Sequence, residues 1–209
     1  MGQITFAESE GIHSRSNNTE VYGMEFRNFG DRGIYLDTGA DHSTIGIPGK
    51  GNIFFNNGVN ISLKGKDILV QSNYVGTTPD GGVQDDLYGG IAIVPGSEDI
   101  QIGGKRSLNE GNIIGYSLSA VSLGFSNNGT LAQKNVRISG NHIGLDPNNG
   151  NICPNFDGLA GVVNSSSYYM DVLFGGTLDE GNILAHCQDD AIVILGTGTR
   201  VAFRKNIFI

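Results

Sequence analysis

The stretch Gly140-Asn141-His142-Ile143-Gly144 decides how the rest of the chain is read, because its asparagine followed by apolar residues returns throughout the sequence. The unit reappears as Asn28-Phe29, Asn52-Ile53-Phe54, Asn73-Tyr74-Val75, Asn112-Ile113-Ile114, Asn182-Ile183-Leu184 and Asn206-Ile207-Phe208. Recurrence every ~20 to 40 residues marks a solenoid or an array. Asparagine suits a corner because it tolerates left-handed backbone. Its amide also offers both donors and acceptors, so copies on successive coils can bond along the axis.

Two further elements recur between the asparagine units. One is a small residue opening an alternating strand, as in Gly33-Ile34-Tyr35-Leu36, Gly58-Val59-Asn60-Ile61, Gly90-Ile91-Ala92-Ile93, Ala120-Val121-Ser122-Leu123, Gly161-Val162-Val163 and Ala191-Ile192-Val193-Ile194. The other is a short apolar strand such as Ile68-Leu69-Val70, Ile100-Gln101-Ile102, Val136-Arg137-Ile138 or Val172-Leu173-Phe174. Period-two alternation predicts strands, and Gly, Asn and Asp interrupt every run before a helix of ~10 residues can form. The opening small residues are spaced by 25, 32, 30, 41 and 30. Such elasticity fits a coil of three fixed strands joined by corner loops of variable length.

The predicted fold is therefore all-β, a right-handed parallel β-helix of about seven three-strand coils, with handedness from the rule for parallel crossovers. At ~4.8 Å per coil it makes a rod roughly 30 Å long. Residues 1–20, holding the strand candidate Ile4-Thr5-Phe6 and a polar loop from Gly11 to Asn18, lead in; residues 21–209 form the helix. The sequence stops in the strand Asn206-Ile207-Phe208-Ile209 with no polar cap. Because solenoids need capped ends, the expectation is a piece of a longer parent chain whose neighbouring coils continue it, or a module that associates end to end.

Composition narrows the partners. Thirteen basic against 21 acidic residues give a net charge of -8, which repels phosphate backbones and argues against nucleic acid. No apolar run reaches the ~20 residues of a membrane span, and Met1-Gly2-Gln3-Ile4-Thr5-Phe6 has no signal-peptide core. An extracellular or cell-surface location then requires a signal outside this sequence. Cys153 and Cys187 lie 34 residues apart, about one repeat, so adjacent coils could bring them together, although their offsets from the following strands differ.

The pattern Ile102-Gly103-Gly104, Glu110-Gly111-Asn112-Ile113-Ile114 and Val136-Arg137-Ile138-Ser139-Gly140-Asn141-His142-Ile143-Gly144 resembles the repeats of right-handed parallel β-helix proteins, the superfamily of pectate lyases and polygalacturonases. The resemblance spans about Val21 to Ile209. Within it, Gln188-Asp189-Asp190 and Asn155-Phe156-Asp157-Gly158 are similar to the aspartate motifs of polygalacturonases. That similarity implies Asp157, Asp189 and Asp190 as general acid and water-activating base of inverting glycoside hydrolysis. Phe156 stands where the family has Thr, the family's Gly-His-Gly and Arg-Ile-Lys motifs are missing, and Gln84-Asp85-Asp86 repeats the tripeptide as a turn signal.

A lyase-like reading would draw on Asp85 and Asp86 as Ca²⁺ ligands with Lys105 or Arg106 as base; otherwise no cofactor is implied. His13, His42, His142 and His186 are too scattered for a zinc site. With no tryptophan, a sugar platform must come from tyrosines among Tyr74, Tyr88, Tyr116, Tyr168 and Tyr169. Tyr168 and Tyr169, with His186, are the substrate-binding candidates. Two functions follow. The favoured one is a non-catalytic β-helix segment of a secreted or cell-surface protein, a stalk, adhesin or surface contacting polysaccharide or cell-surface glycan. The alternative is part of a polysaccharide-degrading hydrolase or lyase with substrate along the solenoid face.

Overall fold

Alternating strands need an apolar face to bury, and here three of them per turn share one core. The computed structural model describes residues 9–82, 89–124, 133–162, 170–195 and 199–209. Its first coil holds Ile12–Ser14 (β1), Glu20–Val21 (β2) and Glu25–Arg27 (β3), and its second Arg32–Leu36 (β4), Thr44–Ile45 (β5) and Ile53–Phe55 (β6). The third runs through Val59–Leu63 (β7), Lys66–Val70 (β8) and Tyr74–Val75 (β9), the fourth through Gly89–Ile93 (β10), Glu98–Gly103 (β11) and Ile113–Ile114 (β12). The fifth is Ser119–Leu123 (β13), Gln133–Ser139 (β14) and His142–Ile143 (β15). The sixth is Asp157–Val162 (β16), Met170–Gly175 (β17) and Ile183–Leu184 (β18), and the seventh Ile192–Leu195 (β19), Thr199–Arg204 (β20) and Ile207–Phe208 (β21).

Every third strand pairs in parallel with its counterpart one coil on, giving three seven-stranded sheets: β1-β4-β7-β10-β13-β16-β19 (the first), β2-β5-β8-β11-β14-β17-β20 (the second) and β3-β6-β9-β12-β15-β18-β21 (the third). The fold is a parallel β-helix of seven coils. Register stacks like on like inside: Ile34, Ile61, Ile91 and Val121 follow one another in the first sheet, and Ile68, Ile100, Val136 and Val172 belong to the second. Phe26 and Phe54 stack at 5.0 Å in the third. All of these are almost fully buried.

Register corrects several expectations. Ile12–Ser14, read as loop, is already a strand paired with β4, while Ile4-Thr5-Phe6 lies outside the described residues. Asn60 rather than Gly58, and Gly158 rather than Gly161, occupy the opening position, because Ile61 pairs with Ile91 and Leu159 with Val121. Cys153 and Cys187 are free thiols. Cys153 packs against Gly115 and Cys187 against Gly158, so each faces a glycine one coil back and the two do not meet.

The asparagines form a continuous ladder at the corner between the second and third sheets, and Asn52, Asn112, Asn141 and Asn182 are fully buried there. Each Nδ2 donates to Oδ1 of the asparagine one coil on, at 2.9–3.1 Å from Asn52 through to Asn206. Its other proton goes to the last inward carbonyl of the preceding coil's second-sheet strand, as from Asn112 to Val70 and from Asn141 to Ile102. Backbone N–H groups of the same residues also donate to the next Oδ1. None of these asparagines has a positive φ; the amide chemistry alone selects the residue type.

Asn28 is not a rung. It leaves β3 with φ 64° and pairs with Asn56, and the first-coil ladder position is Met24, whose N–H donates to Asn52 Oδ1. Left-handed backbone appears one residue before the ladder instead, at Ser72, Gly140 and Lys205. These residues belong to coils with a short second corner. In the alternate coils the preceding residue is Gly51, Gly111 or Gly181, where a Cβ would stand 1.8, 2.0 or 1.9 Å from the carbonyl oxygen of Ser72, Gly140 or Lys205. Coils two, four and six therefore carry the glycine-led excursions and coils three, five and seven carry none.

The same packing explains the repeated Gly-Gly and Glu-Gly-Asn signature. Glu110 Oε2 accepts from the Lys105 N–H at 2.7 Å, and Glu180 Oε2 from the Thr177 N–H at 2.9 Å. Each carboxylate closes its own excursion, in space that a side chain at Gly104 or Gly176 would fill.

Candidate functional site

The aspartates singled out by the sequence do meet. Asp157 opens β16, and its register-mate on the next coil is Asp190, whose carbonyl accepts from the Gly158 N–H at 3.1 Å. Asp189 N–H donates to the Phe156 carbonyl at 3.0 Å. Burial raises the Asp157 carboxyl above its ordinary value, and the charges of Asp189 and Asp190 add to this while the Asp190 N–H works against it. Asp189 and Asp190 are exposed, as is His186, which turns the corner with φ 55°. The arrangement offers one readily protonated carboxyl beside two solvated ones. Tyr168, Tyr169, Tyr88, Asp85 and Asp86 lie outside the described residues. Among the described residues no group of three or more His, Cys, Asp or Glu side chains is arranged to hold a metal ion, and no helix is long and apolar enough to cross a membrane.

A second site was not singled out as a whole. From coil three on, each third-sheet strand has only two residues and presents one outward, and register sets Ile53, Tyr74, Ile113, His142 and Ile183 in a row. Ile53, Tyr74, Ile113 and His142 of this row form the floor of a groove of about 470 Å³. One wall comes from the excursions before the ladder, with Gly49, Arg106 and Asn109; the other comes from loops after the third sheet, with Pro79, Pro147 and Asn148.

Both walls are braced across the coil that lacks the loop. Arg106 reaches from coil four to coil six, donating its backbone N–H to the Asp179 carbonyl at 3.0 Å and its guanidinium to the Leu178 carbonyl. Ser107 Oγ and N–H both donate to the Asp179 carboxylate, and these donors hold Asp179 below its usual range. On the far side, Asn149 Nδ2 donates to the Pro79 carbonyl at 3.1 Å and Asn148 Nδ2 to the Tyr74 hydroxyl at 3.0 Å. The walls are out of step by one coil.

The floor is mixed in character. Burial raises the Tyr74 hydroxyl, the nearby Asp146 charge adding to it. Burial lowers His142, as does the Arg106 cation, against the opposing pull of Asp146, so at neutral pH His142 presents an uncharged ring. Asp146 is buried beneath them, its Oδ1 accepting from the Asn148 N–H at 2.8 Å. Burial, with Asp146 adding to it, pushes the Cys153 thiol up to about 12, leaving it unreactive. A groove with two rings, isoleucine patches and amide and guanidinium groups at its edges has the composition of a ligand site.

Comparison with family models, with curated proteins and with solved structures gives no match for this chain.

One more charged cluster lies on the outer face of the first sheet. Asp37 accepts from Arg15 Nε at 2.8 Å, from the Thr38 N–H at 2.7 Å and from the Tyr35 hydroxyl at 3.0 Å, with Lys64 at 3.5 Å. Burial and the bond to Asp37 push Tyr35 up to about 12. The cluster ties coils one, two and three together, and its donors and acceptors are spent on one another. The groove's sequence signal was the pair Asn73-Tyr74-Val75-Gly76-Thr77-Thr78-Pro79 and Asn141-His142-Ile143-Gly144-Leu145-Asp146-Pro147, a ring and a proline at the same offsets from the ladder.

Proposed function

We propose that this β-helix is a non-catalytic segment of a secreted or cell-surface protein, and that the groove over the third sheet is its glycan-contacting surface. The observation that carries the reading is the pair of braced walls around a floor bearing Tyr74 and His142. A sugar ring has an apolar face that packs on an aromatic or aliphatic side chain and a rim of hydroxyls that bond to amides and guanidinium groups. Titration calorimetry against soluble cellulose derivatives, chitin oligosaccharides and polygalacturonate tests it. Binding by at least one is expected, weakened about tenfold, or ~1.4 kcal/mol, by Tyr74→Ala. Binding unchanged in Tyr74→Ala and in His142→Ala alike, or no binding to any of them, would overturn the reading.

The raised Asp157 carboxyl beside Asp189 and Asp190 favours a second reading, a polygalacturonase-like or pectate-lyase-like enzyme of the superfamily the repeats resemble. Its mark would be release of reducing ends or unsaturated products, lost in Asp189→Asn.

A further inference from the structure

Coils two and four build one wall of the groove, with coil six bracing it through Arg106, and coils three and five build the other. The floor alternates in the same way: Ile53 and Ile113 lie on the even coils, Tyr74 and His142 on the odd ones. A unit of one excursion, one isoleucine, one ring and one proline-bearing loop thus occurs twice, from Gly46 to Pro79 and from Gly103 to Pro147. Both occurrences open the same way, since the rings sit one residue after ladder asparagines and the prolines five residues after the rings.

We infer that the groove holds a linear polysaccharide parallel to the solenoid axis, in equivalent subsites that repeat every two coils, with Tyr74 and His142 each receiving the same face of every second sugar. Coils are ~4.8 Å apart, so the repeat is ~10 Å. An extended chain of equatorially β-1,4-linked pyranoses turns over at each linkage and shows the same face again at every second residue. Its period then matches two coils, whereas a compact or branched glycan would engage one ring and miss the other. The even-coil isoleucines face the intervening sugars, where a packing surface without hydrogen-bonding groups accepts the opposite face. This inference rests on the glycan-contacting reading and adds direction and register to it.

The test is a length series of β-1,4-linked glucose and N-acetylglucosamine oligosaccharides from two to six units, titrated into the full chain and its variants. Affinity is expected to rise in steps of two sugars, about tenfold from two to four units. Tyr74→Ala and His142→Ala should each abolish that step, so that four units bind no better than two. Tyr74→Phe and His142→Tyr keep a ring at each position and should retain it, with thermal melts checking that all four variants fold. An even rise with each sugar, no dependence on length, or sensitivity at only one of the two rings overturns the two-coil register and leaves glycan contact standing. No binding by any chain in the series, or by the polysaccharides above, overturns both.

Discussion

The two corners that flank the third sheet face the same problem, buried backbone and amide groups without water, and meet it in opposite ways. Before the sheet, one residue type repeats on six consecutive coils, and the first five amides spend their donors on the same two kinds of partner. After it, the buried polar positions are Asn57, Thr77, Ser117, Asp146 and Asn155, a residue type that changes from coil to coil. Where asparagine does recur it bonds alike, Asn57 accepting from the Phe29 N–H and donating to the Phe26 carbonyl, Asn155 accepting from the Ser117 N–H and donating to the Ile114 carbonyl, but the coils between them carry other residues. A ladder of one residue type over six coils links them uniformly, and a corner whose residue type changes lets each coil vary. The groove depends on both, since the uniform corner sets the floor in register and the variable one supplies a wall.

The comparison breaks first at the ladder. Asn112→Ala should cost about 3–4 kcal/mol, because it strips partners from the Val70 carbonyl, the Asn73 amide and N–H, and Asn141 Oδ1 together. Asn155→Ala, losing two partners, should cost about half as much. Denaturant titration distinguishes the two, and equal losses would mean that the ladder has no collective advantage. Next in size is Gly111→Ala, whose Cβ would press on the Gly140 carbonyl of the neighbouring coil. Overpacking of this kind costs ~1–3 kcal/mol, and a melting temperature equal to that of the unmodified chain would show that the excursion yields freely.

The smallest effect belongs to the variable corner. Since the Asp157 carboxyl is raised in the fold, its stabilising share is full below the unfolded value near ~3.9 and fades as pH rises through the folded value. Asp157→Asn should therefore stabilise at neutral pH, with the gain vanishing in acid. A pH-independent difference in melts at pH 3 and pH 7 would remove charge from the account.

The fold was legible because period-two alternation and the asparagine repeat are local signals. Register was less so: Gly161-Val162 imitates the opening of a strand that begins at Asp157, and Gly58 stands just before a strand whose small position is Asn60. Asn28 misled for a physical reason, since one residue type serves both an amide ladder and a left-handed turn. The aspartates were visible as a motif. The groove was not, because a two-residue strand gives only one outward residue per coil, and alternating Ile, Tyr, Ile and His has no simple period. The bonds that shape its walls also join residues far apart in the chain, such as Asn149 to Pro79 across 70 positions and Arg106 to Leu178 across 72.

The alternation of excursions between coils also sets how such a rod can change length. A single coil inserted or deleted would bring two glycine-led excursions, or two plain corners, face to face. The glycine that must sit under a left-handed neighbour would then meet another glycine, and the loops that now brace over a gap would collide or lose their partner. Duplication or loss of two coils keeps every contact. The heritable unit of growth in this architecture is thus the pair, and a designer lengthening the rod should splice in multiples of two.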